Sequence, residues 1–210
     1  MCNRYYMELS PELRPYIEAA NRSPVAVKFT QKTGHPMVTE GEVKPADTAP
    51  VIASSMNRTM AAYPMAFGFP SPSGSLILNA RLETADQKPM FRESWMRRRC
   101  IIPASWYYEW EHFTRPDGRK KAGDKYMFRP AGSNVTWMAG LYIIKEDLPY
   151  FVILTREASG GIRMIHDRMP LILPVSTISK WIDPNTELSY INNLADSAVD
   201  NIVFEKCVNI

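Results

Sequence analysis

Apolar residues in this chain come in short, separate runs, and almost every run is bounded by a residue that stops regular structure. Strand-like runs fall at Val25–Phe29, Pro50–Ala53, Met65–Phe69, Leu76–Leu78, Ile101–Ile102, Trp106–Trp110, Tyr126–Phe128, Val135–Tyr142 and Tyr150–Thr155, and Ile202–Val208 reads as a closing strand. Seventeen prolines are scattered among them. Proline cannot donate to a strand ladder, so these prolines fit an irregular sheet with many breaks. Strands dominate the middle of the chain, with helical segments between and after them. Residues 10–21 pair a capping Ser10 with Pro11 and place Leu13, Ile17 and Ala20 on one face, against which Pro15 counts. Further helices are expected at Pro89–Arg98, Gly161–Ile165, Ser176–Ile182 and Glu187–Leu194. Strands and helices do not alternate as a parallel α/β sheet requires, and no internal repeat is present. The pattern predicts one mixed α+β domain over residues 1–210, built on a strongly bent sheet.

A chain of 210 residues, 45% hydrophobic and 22% charged, can bury a substantial core. Arg4 and Glu8 interrupt any apolar leader, and no stretch approaches the ~18 apolar residues of a membrane span, so a soluble, cytoplasmic protein with no membrane partner is expected. Cys2, Cys100 and Cys207 are odd in number and far apart, which argues against a disulfide framework. Cys100 and Cys207 lie in apolar, strand-like surroundings. The net charge of +3 does not identify a nucleic-acid partner, although Arg115–Lys125 carries five basic and two acidic residues. A Pro-Asp-Gly turn inside that segment reads as a solvated hairpin loop. Arg97, Arg98 and Arg99 close a predicted helix, where cations complement the helix dipole.

Chemistry concentrates in four polar segments set among apolar residues, where an unpaired polar group is costly. The first is Met1-Cys2-Asn3-Arg4. Were Met1 removed, Cys2 would carry a free amine beside a thiol, with ordinary pKa values of about 8 and about 8.5, and such a 1,2-aminothiol condenses with aldehydes to a thiazolidine. The second is Asn79-Ala80-Arg81-Leu82-Glu83-Thr84. In the third, Ile101 to Trp110, Glu109 stands between Tyr108 and Trp110, where desolvation would raise its pKa toward neutrality. In the fourth, Ile165-His166-Asp167-Arg168-Met169-Pro170, a histidine that titrates in the same range sits between apolar runs. Each has a plainer reading alone: Glu109 paired with an arginine, His166 as a hydrogen-bonded core residue, Asn79 as a turn residue. His35, His112 and His166 have no metal-ligand spacing, and neither a GxGxxG nor a phosphate-binding loop occurs, so no metal or cofactor is expected.

Taken together these segments resemble the SRAP family, the SOS response-associated peptidase domain whose members covalently trap abasic sites in single-stranded DNA. The resemblance also takes in Pro45-Ala46-Asp47-Thr48-Ala49-Pro50-Val51, Arg97 to Ala104, Met138-Ala139-Gly140-Leu141 and Phe151 to Thr155, and so covers nearly the whole chain. It implies a barrel-like sheet with flanking helices; a monomer is the simpler expectation for a protein that must slide onto a broken strand. The resemblance further implies that Cys2, freed of Met1, captures the abasic aldehyde as a thiazolidine crosslink. Glu109 would exchange protons with the amine and thiol, Asn79 would position the terminus, and His166 would assist sugar-ring opening. Arg4 and Arg81 look like phosphate contacts, Thr155 like a further backbone contact, and Phe67 and Trp110 like surfaces for unstacked bases. The chain departs from the family in having Asn3 where Gly is usual, Phe67-Gly68 in place of Trp-Gly, and Trp106 where Gly often precedes the aromatic-aromatic-Glu segment. Two other readings remain at this point: a thiol peptidase or amidase using Cys2, including one limited to removing its own Met1, and a protein that only binds single-stranded DNA.

Overall fold

The computed structural model of the protein describes residues 2–114 and 120–207. Along the chain, strand β1 (Arg4–Met7) leads into helices α1 (Arg14–Asn21) and α2 (Pro24–Thr33), then strands β2 (Gly41–Val43), β3 (Thr48–Ser54) and β4 (Met60–Phe67). A small hairpin, β5 (Phe69–Pro70) and β6 (Leu76–Ile77), precedes β7 (Asn79–Arg81), α3 (Leu82–Ala85) and α4 (Pro89–Arg97). Four longer strands follow, β8 (Arg99–Ala104), β9 (Trp106–Thr114), β10 (Lys120–Pro130) and β11 (Thr136–Lys145), and then β12 (Leu148–Glu157). The chain ends through β13 (Arg168–Pro170), α5 (Ile178–Ile182), α6 (Leu188–Asp196) and β14 (Ile202–Lys206).

The expected α+β class with a bent, mixed, barrel-like sheet is what forms. Strands β11, β8, β3, β4 and β12 pair in that order, and β12 pairs back onto β11, so five strands close a ring. Only the β4–β12 seam within that ring is parallel. β7 and β13 extend β12 beyond the ring, and a second sheet of order β14-β10-β9-β1-β2 packs beside it. Alternation along each ring strand sorts side chains between two cores. Val51, Cys100, Ile102, Phe151 and Ile153 join Tyr5, Tyr107 and Phe128 of the second sheet. Their neighbours Ile52, Ile101, Val152 and Leu154 join Trp95, Trp181 and Ile191 of the helices. With both faces buried, these strands read in sequence as continuous apolar runs rather than as alternating ones.

The run Val25–Phe29 corrects the strand reading, because it lies inside α2. The decisive groups sit at its ends: the Ser23 hydroxyl accepts the Val25 N–H at 3.3 Å, Pro24 occupies the first turn, and Gly34 closes the helix at φ 76°. Capping and the three-residue spacing of buried Ala26 and Phe29 outweigh β-branched content. Residues 161–165 form a single 3-10 turn, Gly160–Met164, rather than an α-helix. The first helix begins at Arg14, after the Ser10 hydroxyl has taken the Leu13 N–H, so Pro15 falls in its first turn without breaking it. The Pro-Asp-Gly turn at 116–118 lies outside the described residues, but Thr114 and Lys120 are cross-strand partners on either side of it.

One buried cation ties the helices to the ring. Arg99 opens β8 and is 1% exposed; its Nε donates to Trp181 O at 2.7 Å, Nη1 to Trp95 O and Met96 O at 2.6 and 2.9 Å, and Nη2 to Asp183 O at 2.6 Å. These carbonyls belong to the C-terminal ends of α4 and α5, which lack intrahelical donors. Burial pulls the guanidinium down to about 10, so it stays charged at neutral pH. Replacing Arg99 with Met should leave those carbonyls without donors and lower stability by about 3 kcal/mol or more, read as a fall in the urea midpoint. A loss below about 1 kcal/mol would show that water replaces the guanidinium there.

Candidate active site

Strand β1 is an interior strand of the second sheet, with Tyr5 opposite Val43 of β2 on one side and Tyr107 of β9 on the other. That pairing draws the preceding residue inside. Cys2 is 1% exposed, and its thiol points to Arg4 O at 3.9 Å. Burial pushes the thiol pKa well up, and the Glu109 carboxylate pushes it further, so the thiol is protonated at rest.

Alternation along β9 turns Tyr107 and Glu109 to the interior and Tyr108 and Trp110 to the other face. Glu109 is 3% exposed, and burial, with a lesser push from the Asp167 carboxylate, raises its pKa to about 7. His166 follows the 3-10 turn, its amide N–H bonded to Ile162 O at 2.9 Å, and its Nε2 lies 3.1 Å from Glu109 Oε1. Nδ1 has two neighbours of opposite demand: the Arg168 N–H at 3.0 Å, which needs an acceptor, and Asp167 Oδ1 at 2.8 Å, which needs a donor. The neutral ring satisfies Arg168 while Nε2–H donates to Glu109; the protonated ring turns Nδ1–H toward Asp167. This arrangement gives the imidazole a partner in either state, which is what a proton carrier requires.

Asn79 opens β7, where it pairs in parallel with Ile153 of β12. Its Nδ2 donates to Asn3 Oδ1 at 2.9 Å, while its own Oδ1 is buried and has no partner among the described residues. The residue that replaces the usual Gly therefore occupies the donor side of Asn79 and leaves the acceptor side open to another group. Asn79 thus reaches the Cys2 segment through Asn3, Glu109 contacts His166, and the Glu109 carboxylate acts on the Cys2 thiol electrostatically. Among the described residues, no cluster of three or more His, Cys, Asp or Glu side chains converges as a metal site.

The expected DNA-contact residues divide. Arg4 and Trp110 share the outward face of the second sheet, with the guanidinium carbon 5.6 Å from the Trp110 ring centroid. Arg81 is exposed on β7, two residues beyond Asn79 and so on the same strand face. Phe67 requires correction as a base-stacking surface. It is fully buried, stacked on Phe151 at 4.9 Å and 6°, because β4 is a ring strand whose inward positions fill the core. Thr155 is likewise fully buried and is corrected as a strand contact: its carbonyl accepts from Arg168 at 2.6 Å, and its hydroxyl donates to Ala80 O at 3.4 Å. Trp106 neither enters the core nor stands alone, since its ring stacks on Tyr6 at 4.5 Å and 4°.

Sequence reasoning passed over Arg168, which grips Glu83 with two nitrogens at 2.7 and 2.8 Å and so joins the segment after β7 to the one after His166. Its place two residues after His166 was the available signal. The buried Tyr5 and Tyr107 hydroxyls, which have no partner among the described residues, carried no such signal: Tyr107 reads as a strand aromatic, and Tyr5 lies in a segment with no strand-like run.

The raised carboxyl sets a pH test. A folded pKa of about 7 against ~4.3 unfolded means that the folded state holds the proton between those values while the unfolded state has lost it. The group therefore subtracts stability as pH rises through that window, and the full penalty is present above about 7. Glu109→Gln should gain stability relative to the parent by on the order of 2–3 kcal/mol between pH 5 and pH 8, measured by urea unfolding. A stability difference independent of pH would show that Glu109 does not carry a raised pKa.

The profile of the family described as SOS response associated peptidase (SRAP) matches residues 1–207. Over 127 residues the chain is 36% identical to the abasic site processing protein YoqW of Bacillus subtilis, covering 58% of this chain and 54% of the relative. It is 32% identical over 114 residues to the abasic site processing protein YedK of Escherichia coli, covering 50% and 47%. Against the abasic site processing protein HMCES of Xenopus tropicalis the identity is 27% over 157 residues, covering 62% and 47%. The chain thus spans about half the length of the curated relatives it matches. Crystal structures of a protein from Bacteroides thetaiotaomicron and one from Bordetella bronchiseptica share the fold, each with a TM-score of 0.72, at 22% and 23% identity, covering 99% of this chain and 93% and 100% of theirs. With the family profile matched over nearly its whole length, the chain belongs to the SRAP family.

Proposed function

We propose that this protein processes abasic sites, and that it does so by forming a covalent thiazolidine between Cys2 and the abasic aldehyde in single-stranded DNA once Met1 has been removed. The observation that carries the reading is the burial of Cys2 beside a carboxylate–imidazole pair whose carboxyl titrates near 7. The names of the curated relatives supply the substrate class.

The order of bond formation follows from the protonated thiol. A buried thiol held above its ordinary pKa is a poor first nucleophile, so the Cys2 amine attacks C1′ of the open-chain sugar. The carbinolamine then loses water to give an imine. Ionised Glu109 receives the proton that the amine must lose, and His166, 3.1 Å away, delivers a proton to the departing oxygen. Addition of the thiol to the imine carbon closes the five-membered ring, its proton passing to the ring nitrogen, and the net change is loss of one water. The open acceptor of Asn79 suits the Cys2 amine, holding it for attack. Arg4 and Arg81 hold phosphates of the strand, and a monomer suffices. The same imine acidifies the neighbouring carbon, which permits some strand cleavage by β-elimination.

The peptidase reading has the family's description in its favour. Its chemistry asks for a thiolate attacking a carbonyl, which the buried, protonated thiol disfavours.

The test is to mix protein beginning at Cys2 with a single-stranded oligonucleotide carrying one abasic site and to look for a denaturation-resistant band of protein-plus-DNA mass. The crosslink should vanish in Cys2→Ala and in protein retaining Met1, and slow by roughly 10²-fold in Glu109→Gln and in His166→Ala. No abasic-specific band would overturn the reading. Loss of Met1 in the parent but not in Cys2→Ala, seen by mass spectrometry, would add self-processing.

A further inference from the structure

The outward face of the second sheet carries, around Arg4, a cluster whose other members the proposed crosslinking leaves without a role. Glu42, on β2, holds two cations at once: Arg4 Nη1 reaches its Oε1 at 2.9 Å, and Lys125 Nζ reaches its Oε2 at 3.2 Å. Lys125 also sits 3.6 Å from the Tyr108 ring centroid and 5.3 Å from that of Trp110, whose ring lies 5.6 Å from the Arg4 guanidinium. The register shift between Ala122 and Lys125 produces this, since it re-phases β10 and sets Lys125 directly opposite Trp110. The three charged side chains keep 41%, 24% and 24% exposure for Arg4, Glu42 and Lys125, so they are reachable from solvent.

One carboxylate against two cations leaves a single positive charge in excess, set against two aromatic faces. A carboxylate that places each oxygen on a different cation has the form of a phosphodiester presenting its two non-bridging oxygens. Two cations bordering an aromatic ring are the composition of a nucleotide seat, with the phosphate on the cations and a base on the ring. We propose that Lys125 is a second phosphate contact beside Arg4, and that Glu42 is a built-in counterion occupying this seat until the phosphate of a single strand displaces it. The inference rests on the single-stranded DNA reading above. It adds a consequence that a plain basic patch lacks, namely that removing a charged residue from the seat strengthens binding. It also gives the protein a bias against weak, non-specific retention, because every strand must first compete with Glu42.

The experiment measures binding of a labelled, undamaged single-stranded oligonucleotide by fluorescence anisotropy across a salt series, in a Cys2→Ala background that prevents covalent capture. Glu42→Gln should bind about three- to tenfold tighter at low salt. Lys125→Met should bind more weakly, and its plot of log affinity against log salt should be shallower by about 0.7, the share of one phosphate contact on a single strand. Thermal melts of each variant accompany the titration. Binding by Glu42→Gln that is equal to or weaker than the parent's, with its melt unchanged, overturns the inference alone. So does an unchanged salt slope in Lys125→Met, which keeps the test decisive if Glu42→Gln unfolds. A Cys2→Ala parent that retains no strand at all overturns the single-stranded DNA reading and this inference together.

Discussion

The insertion of β1 between β2 and β9 is the constraint on which the site depends. An interior strand has its backbone groups paired on both sides and its inward side chains packed in the core, so the residue that precedes it cannot drift. Tyr5 and Met7 are fully buried, and the thiol of Cys2 enters the same core cluster. Cys2 is therefore held in the core and not at the surface. The consequence is chemical as well as mechanical, since the low-dielectric surroundings that fix Cys2 also raise the thiol and the Glu109 carboxyl.

The ring and the second sheet divide the work. The ring, closed by the parallel β4–β12 seam and latched to its helices by Arg99, supplies Asn79 through β7 and leads into His166 through the end of β12. The second sheet supplies Cys2 and Glu109. The site thus straddles two independently braced sheets, and the Glu109–His166 contact joins them. Arg168 reinforces this on the ring side by tying Glu83 to the backbone of Thr155. A buried carboxyl with a pKa near neutrality destabilises the fold above that pKa, a cost that the proton transfer proposed for Glu109 would account for.

Much of this was legible in the sequence, and the reasons differ from element to element. Long apolar runs such as Val135–Tyr142 and Tyr150–Thr155 announced strands because burial on both faces leaves few polar positions in them. Helices α4 and α6 form within two residues of where they were expected. Strands β1, β2 and β13 were not, because each is short and takes its stability from partners distant in sequence. Phe67 and Thr155 were misplaced for a related cause. The family resemblance suggested an aromatic wedge and a backbone contact, but strand parity directed both inward, and parity depends on pairings that no local pattern contains.

The sequence by itself determined the chemical inventory: a cysteine at position 2, a carboxyl among aromatics at Glu109, a histidine between apolar runs at His166, and an α+β pattern interrupted by many prolines. These follow from residue type and near-neighbour spacing, which are local. Tertiary structure alone decided which of these groups meet, and with what pKa. The 3.1 Å contact between Glu109 and His166 spans residues far apart in the chain, as does the bridge from Arg4 through Glu42 to Lys125. Contact and desolvation are properties of the packed assembly, and both arise only when β1 threads between its partners.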